Sequence, residues 1–182
     1  MREGTLYHLY NRGNNKEQIF FNEENYFYFL HLFKKYLNDY LDMFSYCLMP
    51  NHFHFFVRIN EVDSEILREA FRVFFMTYSK AINKQQNRTG SLFQKKFKRK
   101  EIADQDYYSA IIAYIHYNPI KAGLCYRFED WKFSSYNAII SDKPTMVQKN
   151  EVLEWFSGIE AFIQFHEDYR GYQDDKLKDI LF

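Results

Sequence analysis

Cysteine is scarce in this 182-residue chain. Cys47 and Cys125 stand alone, with no C-x-x-C spacing, so neither a zinc knuckle nor a disulfide framework is indicated. Net charge is missing too: 24 basic residues balance 24 acidic ones, and no global field marks the chain for nucleic acid. No apolar run approaches the ~18 residues of a membrane-spanning helix, and no apolar opening segment precedes a cleavage site. Internal repeats and low-complexity segments are also absent. These absences lead to the expectation of a reduced, cytoplasmic protein with no membrane partner. The length suits one domain of common size with room for an appendage.

Aromatic residues, in contrast, are abundant: 20 Phe and 16 Tyr within a 47% hydrophobic fraction, enough to fill a core. Charge is unevenly spread. Between Lys84 and Lys100 lie seven basic residues and no acid, whereas Glu151 to the end holds eight acids against three bases. Such asymmetry fits a basic working surface beside an acidic tail, and it also fits ordinary solvated faces.

The order of elements is readable. "TLYHLYNRGNN" alternates and then ends in turn-formers, which predicts a strand leaving through a loop at Gly13. Asn22 offers an N-cap for a helix reaching about Asn38, with Tyr26, Phe29, Leu30, Phe33 and Leu37 at helical spacing. "DMFSYCLMP" and His52 to Ile59 are two strands joined by a tight "PN" turn. Asp63 or Ser64 caps a second helix to about Gln86, with Ile66, Ala70, Phe74 and Tyr78 as its inner stripe. "KKFKRKEIA" is a charged fourth strand. Asp104 or Asp106 opens a third helix running to about Tyr117, halted by Pro119 and Gly123. The order β-α-β-β-α-β-α predicts an α+β fold: an antiparallel sheet with helices on one face, as in ferredoxin-like and RNA-recognition folds. Residues 1–140 form this unit; 141–182 read as a linker and a helical appendage around Val152, Trp155, Phe156 and Phe162.

The stretch "LMPNHFHFFVRI" places two of only six histidines one residue apart. In a strand, His52, His54, Phe56 and Arg58 share one face, and Phe53, Phe55, Val57 and Ile59 the other, apolar face. Paired imidazoles can hold a metal ion, or can be polar residues on a solvated sheet. In "DYYSAIIAYIHYNPIKAGL", Tyr107, Ile111, Tyr114 and Asn118 form one helical stripe, and Tyr108, Ile112 and Ile115 another, better suited to burial. If that helix docks beside the third strand, one pocket holds two imidazoles, an amide and a phenol. Such a set suits phosphoryl transfer through a covalent tyrosine intermediate beside a metal ion. In a chain with sixteen tyrosines, a packed aromatic is the plainer reading of Tyr114.

Three blocks in order, "MPNHFHFFVRI", "GSLFQKKFK" and "YIHYNPIKAGL", resemble the HUH single-strand transposases, and among them the REP-associated tyrosine transposases and IS200-like enzymes. "YNRGNN" and "WKFSSY" are similar to the family's first strand and loop and to its segment after the tyrosine helix. The resemblance spans about residues 5 to 140. It implies that His52 and His54 are metal ligands, Tyr114 the nucleophile and Asn118 the third ligand. It further implies Mg²⁺ or Mn²⁺, a 5′-phosphotyrosine with a free 3′-hydroxyl, and single-stranded or hairpin DNA as partner. Imidazole also suits zinc, so the residues leave the metal open, and monomer and homodimer both stay open.

The basic run, with Lys95, Lys96, Lys98 and Arg99, is a candidate for phosphate contact, and Phe93 or Phe97 for stacking on unpaired bases. Arg12, Asn14 and Asn15 are candidates near a hairpin foot, although a turn needs Gly and Asn anyway. Tyr117 reads as packing, His116 as a surface residue, and Gln105 as a substitute ligand. Two further readings compete: a non-catalytic nucleic-acid-binding module, and a zinc hydrolase, which lacks any H-E-x-x-H motif.

Overall fold

A computed structural model of the chain describes residues 1–169. The far end of the expected appendage, with its acidic residues beyond 169, lies outside the described residues. Four strands, β1 (Leu6–Arg12), β2 (Leu41–Met49), β3 (His52–Ile59) and β4 (Lys98–Glu101), form one antiparallel sheet in the order β2-β3-β1-β4. The helices are α1 (Glu23–Tyr36), α2 (Ser64–Gln85), α3 (Tyr108–Lys121), α4 (Tyr136–Ile140), α5 (Lys149–Trp155) and α6 (Ile159–Tyr169). β3 and then β1 sit in the middle, so each β-α-β unit is split by a strand of the other.

Local chemistry explains the boundaries. Asn22 Oδ1 accepts from Asn25 N at 3.1 Å to start α1, with Glu23 and Glu24 in the first turn and Lys34 and Lys35 in the last. Asp63 Oδ1 accepts from Glu65 N and Ile66 N to start α2. Pro50 and Asn51 alone connect β2 to β3, whose ends pair at Met49 and His52. The chain leaving β1 clamps this hairpin tip: Gly13 N donates to Asn51 O, and Ile19 N and Phe20 N donate to Pro50 O. At Gly13 a Cβ would sit 2.0 Å from Glu17 O, so only glycine fits there.

The apolar sheet face carries the core. Phe53 and Phe55 meet Phe29 and Phe33 of α1, with ring centroids 5.1–5.2 Å apart for Phe29–Phe53 and Phe33–Phe55, and Phe29 meets Phe74 and Tyr78 of α2. α1 and α2 thus cover one face, as the alternation implies. The other face is covered as well. α3 lies across β2 and β3, and Trp155 of α5 packs on Phe44 and Phe56. Arg58, on the histidine face, is held by Asp42 and by Glu151 of α5, both at 2.7 Å, which ties α5 to the sheet and removes Arg58 from the site. "WKFSSY" runs along the free edge of β2: Leu48 N donates to Phe133 O, Ser135 N to Tyr46 O, and Trp131 Nε1 to Leu48 O. The edge is thereby blunted.

Several expectations need correction. Ile66 is 52% exposed; Leu67, Phe71, Phe74, Tyr78 and Ile82 form the inner stripe of α2. Tyr107 lies in a short 3-10 turn before α3, and Ile111 is as fully buried as Ile112, because α3 is packed between the sheet and α6. α3 also continues through Pro119 to Lys121. Proline removes the N–H that would serve Ile115 O, and Asn118 Nδ2 supplies donors instead, to Tyr114 O at 2.8 Å and Ile115 O at 3.4 Å. The helix ends at Gly123, whose φ of 69° is the left-handed stop expected at a C-terminus. His116 is buried, not a surface residue: it bridges His166 Nε2 (2.9 Å) and Ser135 Oγ (2.7 Å), joining α3 to α6 and the β2 edge. His166 Nδ1 donates to Phe162 O, so with both rings neutral His116 Nδ1 donates to His166 Nε2 and Ser135 Oγ donates to His116 Nε2.

Candidate active site

The register of β1 on β3 sets the floor of a pocket. Arg12 lies opposite His52 and Tyr10 opposite His54, so these four side chains share one face. Lys98 of β4 lies opposite Tyr10 and extends that face. α3 forms the wall, contributing Tyr114, Asn118 and Lys121. The resulting pocket has a volume of about 490 Å³ and is also lined by Asn11, Met49, Gln94 and Ala122. Tyr114 stands edge-on to His54, ring centroids 5.8 Å apart.

Hydrogen bonds fix which atoms face the pocket. Asn51 Nδ2 donates to Lys16 O at 3.1 Å, so Asn51 Oδ1 must be the atom 2.6 Å from His52 Nδ1. A carbonyl oxygen only accepts, so His52 carries its proton on Nδ1 and keeps the Nε2 lone pair. His54 Nδ1 is engaged by His8 Nε2 at 2.9 Å, which leaves Nε2 toward the pocket. Asn118 spends its amide nitrogen on helix carbonyls and has its oxygen to offer. Among the described residues no three His, Cys, Asp or Glu side chains converge as metal ligands. What the pocket gathers is two imidazoles, one amide and one phenol.

The electrostatics follow from burial and from basic neighbours. Burial, then the Arg12 charge, lowers the His52 pKa to about 4. Burial, then His8, His52 and Arg12, holds His54 well below its ordinary value. Both rings are therefore neutral near pH 7, the form that binds metals. Burial pushes the Tyr114 phenol up to about 12, while the Asn118 amide and the Arg12 charge pull it down. The phenol therefore keeps its proton near pH 7.

The other sequence candidates divide into groups. Arg12 and Lys98 line this pocket. Lys95, Lys96 and Arg99 line an adjoining cleft of about 610 Å³ against α2 that shares Asn11 and Gln94 with it. Asn14 sits in the turn after β1 and lines neither, as does Asn15. Phe93 is 6% exposed and packs on Phe53, Phe75 and Tyr78, so it offers no ring to a base. Phe97 is half-buried on Phe71 and Phe75. Gln105 lies in the turn before α3, away from the pocket lining. The sequence reading missed His8, Tyr10, Asn51 and Lys121. Alternation along "YHLYNR" puts His8, Tyr10 and Arg12 on one face, but only the strand order places that face beside His52 and His54.

Residues 2–118 match the family model described as Transposase IS200 like. A Haemophilus influenzae protein described as "Putative REP-associated tyrosine transposase" is 25% identical over 131 residues, covering 57% of this chain and 73% of that protein. A solved structure of a REP-associated tyrosine transposase bound to a REP hairpin superposes with a TM-score of 0.64 at 21% identity, over 79% of this chain and 84% of the other. That likeness shows the fold.

Proposed function

The chain belongs to the IS200-like transposase family, and from that premise we propose that it cuts and rejoins single-stranded, hairpin-forming DNA through a covalent bond to Tyr114. The observation that carries this reading is one pocket lined by Tyr114, Asn118, His52 and His54, with Arg12, Lys98 and Lys121 at its rim. The hairpin held by the solved relative motivates the substrate class. We assign the chemistry to residues 1–140 and place the protein in the cytoplasm, where such DNA is met.

Two neutral imidazoles with engaged Nδ1 atoms and one amide oxygen fit a hard divalent ion, Mg²⁺ or Mn²⁺, held weakly. When bound, such an ion neutralises charge on the scissile phosphate. The protein's own groups do the rest. Arg12, Lys98 and Lys121 draw the backbone in and add positive charge beside the phenol. Tyr114 Oη attacks phosphorus, the bond to the 3′-oxygen breaks, and the DNA end stays as a 5′-phosphotyrosine with a free 3′-hydroxyl. Attack by a 3′-hydroxyl on that phosphotyrosine returns the tyrosine and joins the strand. α3, pinned through His116 to α6 and the β2 edge, keeps Tyr114 over His54 during both steps.

The test is cleavage of a labelled single strand bearing a hairpin, with Mn²⁺ present. Cleavage that leaves a 3′-hydroxyl, needs the ion and is lost in His52→Ala supports the proposal. Cleavage that continues in a chelator, or in His52→Ala, overturns it.

A further inference from the structure

His8 contributes nothing to the pocket surface, yet the site leans on it. It is fully buried on β1, on the same sheet face as Tyr10 and Arg12. Its Nε2 lies 2.9 Å from His54 Nδ1, with the two rings nearly parallel at 14° and centroids 5.1 Å apart. Tyr10 stacks on it at 4.8 Å and lies 5.9 Å from His54 as well, and Tyr114 meets it edge-on at 6.1 Å. Among the described residues its second nitrogen, Nδ1, is a buried polar atom with no hydrogen-bond partner. A ring that only filled space here would be stabler as phenylalanine, since an orphaned buried nitrogen is costly.

We propose that His8 is a positioning residue that accepts the Nδ1–H of His54, and so fixes the tautomer and aim of the His54 Nε2 lone pair. The inference rests on the reading of His54 as a ligand. Two neutral imidazoles facing through one nitrogen each can share only one proton. If His8 donated, His54 would carry its own proton on Nε2 and could not bind a cation. If His54 donates, Nε2 is open, and the remaining proton of His8 sits on the orphaned Nδ1. Ligand histidines are usually held through their other nitrogen by a carboxylate, a carbonyl or water. His52 follows that rule with Asn51 Oδ1. A neutral imidazole takes the same place for His54, and the unpartnered Nδ1 is the cost of that arrangement.

The test compares His8→Gln, His8→Asn and His8→Phe with the parent chain. Gln places a polar atom where His8 Nε2 lies, Asn falls short, and Phe keeps the stack without an acceptor. Ring ¹⁵N spectra of His54 without any ion should show the Nδ1–H tautomer in the parent and in His8→Gln. In His8→Phe and His8→Asn the Nε2–H form should gain. Mn²⁺ binding, read by the electron paramagnetic resonance of free Mn²⁺, should weaken roughly 10- to 100-fold in Phe and Asn and recover in Gln. An Nε2–H tautomer in the parent overturns the proposal, as does unaltered tautomer and Mn²⁺ affinity in His8→Phe. If His8→Phe fails to fold, the tautomer of the parent and of His8→Gln still decides. Unchanged Mn²⁺ binding in His54→Ala would sink the ligand reading instead, while the tautomer shift in His8→Phe would still uphold the contact between the two rings.

Discussion

Replacing Asn118 separates its two jobs, patching a helix and offering an oxygen. In Asn118→Ala the 2.8 Å bond to Tyr114 O disappears, and Ile115 O, already deprived by Pro119, loses its 3.4 Å donor. The lost bond is worth about 1 kcal/mol and the unsatisfied carbonyl about as much again. Alanine's better helix propensity returns about 0.5 kcal/mol. The net loss is about 1.5 kcal/mol, or roughly 3–6 °C in melting temperature for a domain of this size. The protein stays folded. Losing a contact to a charged ion costs about 1.5–3 kcal/mol, so the Mn²⁺ concentration for half-maximal cleavage should rise roughly 10- to 100-fold. Asn118→Asp gives the opposite split. It loses the same donor and sets a carboxylate against helix carbonyls, so the ion-free protein melts at least as early. A carboxylate is the better ligand for a hard cation, so the Mn²⁺ requirement should fall. Thermal melts without ion and Mn²⁺ titrations of cleavage on both variants check this. The reasoning fails if the metal requirement rises in both variants in step with their lost stability.

Other expected outcomes are simpler. Five histidines are held below their ordinary pKa chiefly by burial: His8 at about 3, His52 and His166 at about 4, and His54 and His116 well below. Their stability contribution is present above the unfolded value of about 6.5 and is lost as pH falls toward 4. Denaturant melts should therefore lose stability steadily from pH 7 to 5; melts that stay level over that range would refute the neutral assignment. Neutralising Arg12, Lys98 and Lys121 together should flatten the salt dependence of single-strand affinity by about 2 in log–log slope, about 0.7 each, and an unchanged slope would remove them from the DNA path. Phe29→Ala, emptying a site ringed by Phe20, Phe53, Phe55, Phe74 and Tyr78, should cost about 3–5 kcal/mol in urea unfolding, and a loss under about 1 kcal/mol would mean the core can collapse around the gap.

What could be read from the chain beforehand has a physical pattern. Period-two alternation located β3 and the two faces on which His52 and Phe53 lie, because register and burial enforce it. Caps at Asn22 and Asp63 set helix starts, because they satisfy local donors. The four-residue spacing of Tyr114 and Asn118 put them on one wall, because one turn of helix decides it. What escaped was long-range. His8 is a lone histidine in an ordinary strand until β1 is known to pair with β3. His116 reads as a surface residue until its partner His166, 50 positions on, is packed against it. Pro119 reads as a helix stop until Asn118 is seen to supply the missing donors. Phe93, followed by Gln94, Lys95 and Lys96 in a connecting segment, offers no local sign that α1, α2 and β3 enclose it.

The central claim is that Tyr114 carries the covalent link. A hairpin-bearing single strand should be incubated with the protein and Mn²⁺, denatured, digested with trypsin, and the modified peptide located by mass spectrometry. The account predicts a nucleotide adduct on Tyr114, within the fragment from Glu101 to Lys121, and none in Tyr114→Phe, which should still bind the DNA. An adduct on Tyr107, Tyr108 or Tyr117, or cleavage by Tyr114→Phe at the parent rate, would contradict it.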